Sequence, residues 1–373
     1  MPKLFRKLKK KKTLSFQSEK SPDFLLLTSV LIITLFGIIM VYNASVVEAY
    51  QLFTDKYRFL KLQSLWAGVG FLALSIAYFT PYQLIRKIAP TLLGINILLL
   101  IAVLIPGIGN QALGARRWIN IAGFTLQPTE MIKLTLPLYL SSWLSKEKPF
   151  WPYLVILALI LGLIMLEPDL GTSIVIIFTA VAVYYFSGAS LSKMLILGIL
   201  GSLSGIALIF SSSYRKNRLL TFLNLNNDPL GSSYHIRQAL IAIGSGGLWG
   251  LGLGQSRQKY QFLPQVTTDS IFAVIAEEIG FFASAIVILS LFFIVFRAFN
   301  ISRHAPDKFT KLLSFSIASW LGIQIFINLG AMLALIPLTG VPLPFISYGG
   351  SSLIVTLTAV GFLLNISRFK IKR

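Results

Sequence analysis

The chain has 373 residues, 55% of them hydrophobic and only 12% charged, with no cysteine and a net charge of +20. A soluble globular protein of this size carries about 25% charged residues, so a soluble enzyme is excluded, and without cysteine there is no disulfide, thiolate metal site or thiol nucleophile. The two histidines, His235 and His304, are too far apart in sequence for a zinc cluster, and the excess of Lys and Arg fits helix ends meeting anionic lipid better than a nucleic-acid binder.

Residues 1–22 form a basic N-terminal tail with RKLKKKK at 6–12. The apolar segment after it is long and lacks a clear small-residue cleavage site, so it is expected to stay as a first span rather than leave as a signal peptide. Apolar runs follow at residues 24–43, 62–79, 84–105, 129–144, 151–167, 169–187, 192–210, 271–296, 312–336 and 349–367. They predict an all-α integral membrane protein of about ten transmembrane helices, one domain over residues 23–373. Ten spans put both termini on one side. With that side cytoplasmic, 21 of the 33 Lys and Arg fall on inner segments and 11 on outer ones, the usual positive-inside bias. The basic tail and the RFKIKR end then face anionic lipid.

The outer cations work against that bias. Arg116 and Arg117 are adjacent in GARRWINIAGFTLQPTEMIK. The large outer loop 211–270, between the seventh and eighth spans, holds Arg215, Lys216, Arg218, Arg237, Arg257 and Lys259 against only Asp228 and Asp269. Long loops cross membranes largely regardless of charge, but here they share the loop with an acid at the mouth of a span, which points to an anionic partner outside. Within this loop, Ile236, Leu240 and Ile243 have the spacing of a short helix on the membrane surface. Six glycines follow within 244–254; without GK[ST] or a preceding strand they read as flexible or closely approached backbone, not a nucleotide cradle. A second irregular outer stretch, PLTGVPLPFISYGGSS (337–352), needs protein or a water-filled cavity around it.

Few acids remain to carry chemistry. Glu130 and Lys133 share one face of the fourth span, and each needs a partner there: the other member of the pair or a polar ligand. In EPDLG (167–171), Asp169 suits the N-terminus of the sixth span as a cap, and a structural role is favoured for it and Glu167. Asp269 follows the loop-like FLPQVTT and precedes the apolar SIFAVIA. It can cap the eighth helix, or, beside a basic cavity, act as a general base. Glu277 lies on roughly the same helix face as Asp269 and Glu278 about 100° round, so either can support the site.

The segments GSGGLWGLGLGQSRQKYQFLPQVTTDSIFAVIAEEIGF and PLPFISYGGSSLIVTLTAVGFLLNISR, together with GARRWINIAGFTLQPTEMIK, EPDLGTS and NNDPLGSSYHIRQALIAIGSGG, resemble the SEDS family of cell-wall glycan polymerases (shape, elongation, division, sporulation). The resemblance runs from about residue 24 to 368, and GLGQSRQK and NISR are more similar to its division branch than to its elongation branch. Where family members usually carry Ala-His before Thr-Asp and Phe after, this chain has Val266, Thr267 and Ser270 around Thr268 and Asp269. The resemblance implies peptidoglycan glycosyltransfer from lipid II outside the plasma membrane, with Asp269 as catalytic base. Arg116, Glu130, Lys133, Arg215, Arg257, Lys259 and Ser351 are the candidate substrate-binding residues. It also implies a class B penicillin-binding protein (a transpeptidase) and other division proteins as partners. No organic cofactor is called for; a divalent cation (Mg or Mn) is compatible, held mainly by substrate oxygens. Two other readings use the same features: a lipid II flippase, and a non-catalytic scaffold that recruits a transpeptidase.

Overall fold

The computed structural model describes residues 21–112, 115–121, 124–146, 149–224, 233–260 and 262–369. The basic tail up to residue 20, the last four residues and Asp228 lie outside the described residues. Among those described, the order is α1 (Phe24–Phe53), α2 (Arg58–Phe79), α3 (Tyr82–Leu104), β1 (Gly109–Ala112), β2 (Ala115–Ile121), β3 (Phe124–Leu126), α4 (Pro128–Leu144), α5 (Phe150–Leu166), α6 (Leu170–Phe186), α7 (Leu191–Phe210), α8 (Ser213–Leu223), α9 (Tyr234–Ser245), α10 (Ile271–His304), α11 (Lys308–Met332) and α12 (Gly350–Ser367). The ten expected spans are α1 to α7 and α10 to α12. Seven of these are long and apolar enough to cross a bilayer; α5 and α6 are apolar but 17 residues long. Helix α4, also 17 residues, carries Glu130 and Lys133. This is a multi-pass, all-α membrane protein with one small sheet.

Local chemistry starts the helices and ties them together. Asp23 caps α1 by accepting from the Leu26 N–H at 3.1 Å, and the same carboxylate pairs with Arg297 of α10 at 2.6 Å. A reciprocal capping box between Asp307 and Thr310 opens α11. With lipid outside, close backbone approach replaces hydrophobic drive between helices. At the α2–α12 contact, a Cβ on Gly361 would sit 2.4 Å from the Leu74 carbonyl oxygen. Helices α11 and α12 are buried along most of their length, whereas α7 buries only Leu197 and so lies at the rim.

The structure departs from the expectation in three places. The α3–α4 connection is a three-stranded antiparallel sheet, with Asn110 opposite Trp118 and Asn120 opposite Thr125. Helix α9 is not simply laid on the membrane: Ile236, Ala239 and Ala242 are buried, and it packs on α10 and α11. Helix α10 is interrupted at Gly280 (φ 74°), where the glycine-rich segment runs against the break. There the Leu251 and Gly252 N–H groups donate to the Glu277 and Glu278 carbonyls at 3.0 Å each, and the Phe281 N–H donates to Gly247 O at 2.9 Å. A Cβ on Gly250 would stand 2.2 Å from Glu278 O, so this approach requires glycine. The interruption leaves carbonyls that hydrocarbon cannot satisfy, and the segment satisfies them.

Candidate functional site

A cavity of about 1040 Å³ opens among the parts of the chain that share one end of the bundle. By helix parity these are the sheet, the α5–α6 turn, the α7–α10 connection and the α11–α12 loop, all on the face assigned to the outside. Asp269, Thr268 and Gln265 contribute one wall; Arg117, Arg215 and Arg218 come from β2 and α8; Gly349 to Ser352 form the first turn of α12. That turn has no side-chain cap, so its N–H groups are oriented for an anion. Phe178 of α6 and Ile323 and Phe326 of α11 give an apolar side.

The turn that carries Asp269 is held from several directions. Asn328 of α11 donates one amide group to both Asp269 O (2.9 Å) and Val341 O (2.8 Å), joining this turn to the α11–α12 loop. Ser347 donates to Thr268 O at 2.6 Å, and the Tyr348 N–H donates to Thr267 O at 2.8 Å. Ser270, not Asp269, is the N-cap residue of α10, and the Asp269 carboxylate accepts from Thr268 Oγ1 at 2.9 Å. The capping role is therefore not taken, and the carboxylate lines the cavity. Burial pushes its pKa up; His235, the Thr268 hydroxyl, its own backbone and Arg218 oppose that shift.

Arg117, not its neighbour Arg116, lines the cavity. The β1–β2 register shifts here, with Asn110 opposite Trp118 and Gln111 opposite Arg116, so Arg117 falls at the irregularity, and it lines the cavity together with Trp118. Arg117 donates from Nε to Glu167 O at 2.9 Å and from Nη2 to Pro168 O at 2.6 Å. Arg215 meets Met165 Sδ at 3.6 Å and donates to Ser211 Oγ at 3.2 Å. Arg218 donates to Leu338 O at 2.9 Å. Among the described residues, neither Arg117 nor Arg215 is ion-paired to a carboxylate.

The remaining expected residues divide. Glu130 lines the cavity; its Oε1 takes the Lys133 ammonium at 2.7 Å, and its buried Oε2 has no partner. Lys133 stands behind it, also donating to Gln324 Oε1 at 3.1 Å, and does not line the cavity. Ser351 lines it while tying α12 to the sheet, accepting from the Gln127 N–H at 3.0 Å and donating to Thr125 O at 3.3 Å. Arg257 is exposed away from the cavity. Lys259 is buried elsewhere, bound to Glu278 (3.1 Å), Asn43 Oδ1 (3.2 Å) and Gly254 O (2.6 Å). Glu278 also accepts from Asn43 Nδ2 and the Ser256 N–H, and Glu277 takes Ser256 Oγ (2.5 Å) and the Arg257 N–H (3.0 Å). Both acids thus anchor the glycine-rich segment and do not reach the cavity.

In the EPDLG turn, Asp169 caps α6 by accepting from the Thr172 N–H at 3.0 Å, and it also borders the cavity. Glu167 is fully buried with neither carboxylate oxygen hydrogen-bonded. Burial, helped by the nearby Asp169 charge and opposed by Arg117, pushes its pKa up to about 8. From the sequence, Arg117 and Arg218 count among the outer cations without being singled out as ligands, and His235 is weighed only as a zinc ligand. No sequence periodicity marks the first, because the register shift falls at Arg117 itself.

A family profile described as cell cycle protein, covering FtsW, RodA and SpoVE, matches residues 23–372. The chain belongs to this family. It is 41% identical over 357 residues to stage V sporulation protein E of Bacillus subtilis (strain 168), covering 94% of this chain and 98% of the relative. It is 40% identical over 353 residues to the "Probable peptidoglycan glycosyltransferase FtsW" of Trichlorobacter lovleyi, covering 92% and 93%. Among solved structures it is similar to a chain of a peptidoglycan synthase complex, with a TM-score of 0.77 and 28% identity over 93% of this chain and 98% of that one. It is likewise similar to the rod shape determining protein RodA of Thermus thermophilus, with a TM-score of 0.69 and 28% identity over 94% and 98%. Membership of the family and the apolar spans place this chain in the plasma (inner) membrane.

Proposed function

We propose that the protein is a peptidoglycan glycosyltransferase that polymerises lipid II into β-1,4 glycan at the outer face of the plasma membrane, in cell division. One observation carries the reading: Asp269, 9% exposed, opens into a large cavity whose wall also holds Arg117, Arg215 and Arg218. Lipid II is a disaccharide on a polyprenyl pyrophosphate. The arginines and the first turn of α12 suit its phosphates, because charge-assisted bonds are strong where water is excluded. The apolar side suits the start of its lipid chain.

Pyrophosphate leaves as a stable anion, so the general acid that a glycosidase needs is dispensable. Asp269 takes the proton from the 4-hydroxyl of the acceptor GlcNAc. That oxygen forms a bond to C1 of the donor MurNAc, the C1–phosphate oxygen bond breaks, and the lipid pyrophosphate departs with the electron pair. Attack opposite the leaving group turns the α linkage into β. General-base help contributes about 10²–10⁴-fold; the cationic wall and positioning contribute the rest. Among the described residues no three His, Cys, Asp or Glu gather as a metal site, so a Mg or Mn ion would be held mainly by substrate oxygens. A class B penicillin-binding protein is the expected partner, supported by the similarity to a chain of a synthase complex that coordinates polymerization and crosslinking.

The test is purified protein with labelled lipid II, alone and with the transpeptidase. Asp269→Asn should lower polymer formation at least about 100-fold. A flippase would move lipid without making polymer, and a scaffold would do neither. A folded, partner-bound Asp269→Asn protein that polymerises at the parental rate refutes the reading.

A further inference from the structure

His235, on α9, carries a titratable imidazole beside the Asp269 turn that the chemistry above leaves unused. Its Nε2 lies 2.5 Å from Ser270 Oγ, and Ser270 Oγ also lies 2.9 Å from the Pro264 carbonyl oxygen. A hydroxyl has one proton, and a carbonyl can only accept. Ser270 therefore donates to Pro264, and His235 donates Nε2–H to Ser270. This fixes the tautomer and leaves Nδ1 as the site that gains a proton. Protonation at Nδ1 adds charge without breaking the tie to Ser270.

The tie closes the Asp269 turn on itself, since Pro264 and Ser270 bracket it and the Ser270 N–H also returns to Gln265 O at 3.2 Å. The charged groups acting on His235 are Asp269 from this turn and Arg218 from α8. The α10 acids Glu277 and Glu278 are engaged with the glycine-rich segment instead. Burial and Arg218 hold the imidazole towards neutrality, and Asp269 draws it back towards the cation.

We infer that His235 is a positioning residue for Asp269: through Ser270 it fixes the turn that aims the carboxylate. The inference rests on Asp269 being the base.

The experiment is kcat and KM for lipid II polymerisation by the purified protein with its transpeptidase partner, for the parent, His235→Gln, His235→Phe and Ser270→Ala. Gln keeps an N–H in place of Nε2–H; Phe keeps a ring and cannot donate. His235→Gln is expected to keep kcat within about two- to fivefold of the parent, whereas His235→Phe and Ser270→Ala should lower kcat on the order of tenfold or more with KM for lipid II little changed. If His235→Phe does not yield folded protein, Ser270→Ala decides the case, and a parental kcat in it overturns the inference. A His235→Phe kcat equal to that of His235→Gln also overturns it. A parent without polymerase activity, or an active Asp269→Asn, overturns the glycosyltransferase reading itself, so the two failures are distinguishable.

Discussion

Replacing Lys259 with Met separates a structural role from a substrate-binding one. Lys259 is 4% exposed and its ammonium is 3.1 Å from Glu278, whose side chain is fully buried. Removing the cation leaves Glu278 with only the neutral donors Asn43 and Ser256. Stranding one member of a buried pair costs about 3–5 kcal/mol. At roughly 2 °C per kcal/mol for a chain of this size, the thermal midpoint of Lys259→Met in detergent should fall by about 6–10 °C. Adding Glu278→Gln removes the stranded charge and should restore most of the loss, giving a coupling of at least about 2 kcal/mol. The assay is thermal unfolding of the parent, both single variants and the double variant; at 0.5 M salt the difference should persist, because a buried pair is little screened. If Lys259 served substrate phosphate instead, the midpoint would stay parental, KM for lipid II would rise, and the double variant would rescue nothing. That result would refute the structural assignment.

Three further outcomes can be checked. Glu167 has its folded pKa raised to about 8, so its contribution is fully present below the unfolded value near 4.5 and is lost as pH rises through 8. Glu167→Gln should therefore be more stable than the parent at pH 8 by roughly 2–4 kcal/mol, read as a higher thermal midpoint, with the gap closing near pH 4.5. Gly280→Ala places a Cβ 2.2 Å from the Gly250 nitrogen at a positive φ; a marked loss of monodisperse protein on size exclusion is expected, and normal yield would contradict the broken-helix geometry. Arg215→Ala should raise KM for lipid II about tenfold with a smaller change in kcat, read from initial polymerisation rates.

The spans were legible because crossing hydrocarbon imposes a length and an apolar composition that a linear window can read. Asp169 as a cap and Asp269 at the outer mouth of α10 were legible for a related reason: a carboxylate beside an apolar helix has few places to go. The sheet between α3 and α4 was not, because three strands of 4, 7 and 3 residues carry too little periodicity. Nor was the break in α10, since hydropathy is blind to a positive φ at Gly280.

By itself the sequence determined that this chain crosses the membrane about ten times, with its outer cations and a lone doorway acid on one face. Only the tertiary structure decided which charges meet. It chose Arg117 over Arg116 at a register shift in the sheet, kept Lys259 for Glu278 and for Asn43, 216 residues away, and brought His235 to Ser270. The physical reason is that burial in lipid or protein obliges each charge to find a partner, while the identity of that partner depends on contacts between elements far apart along the chain.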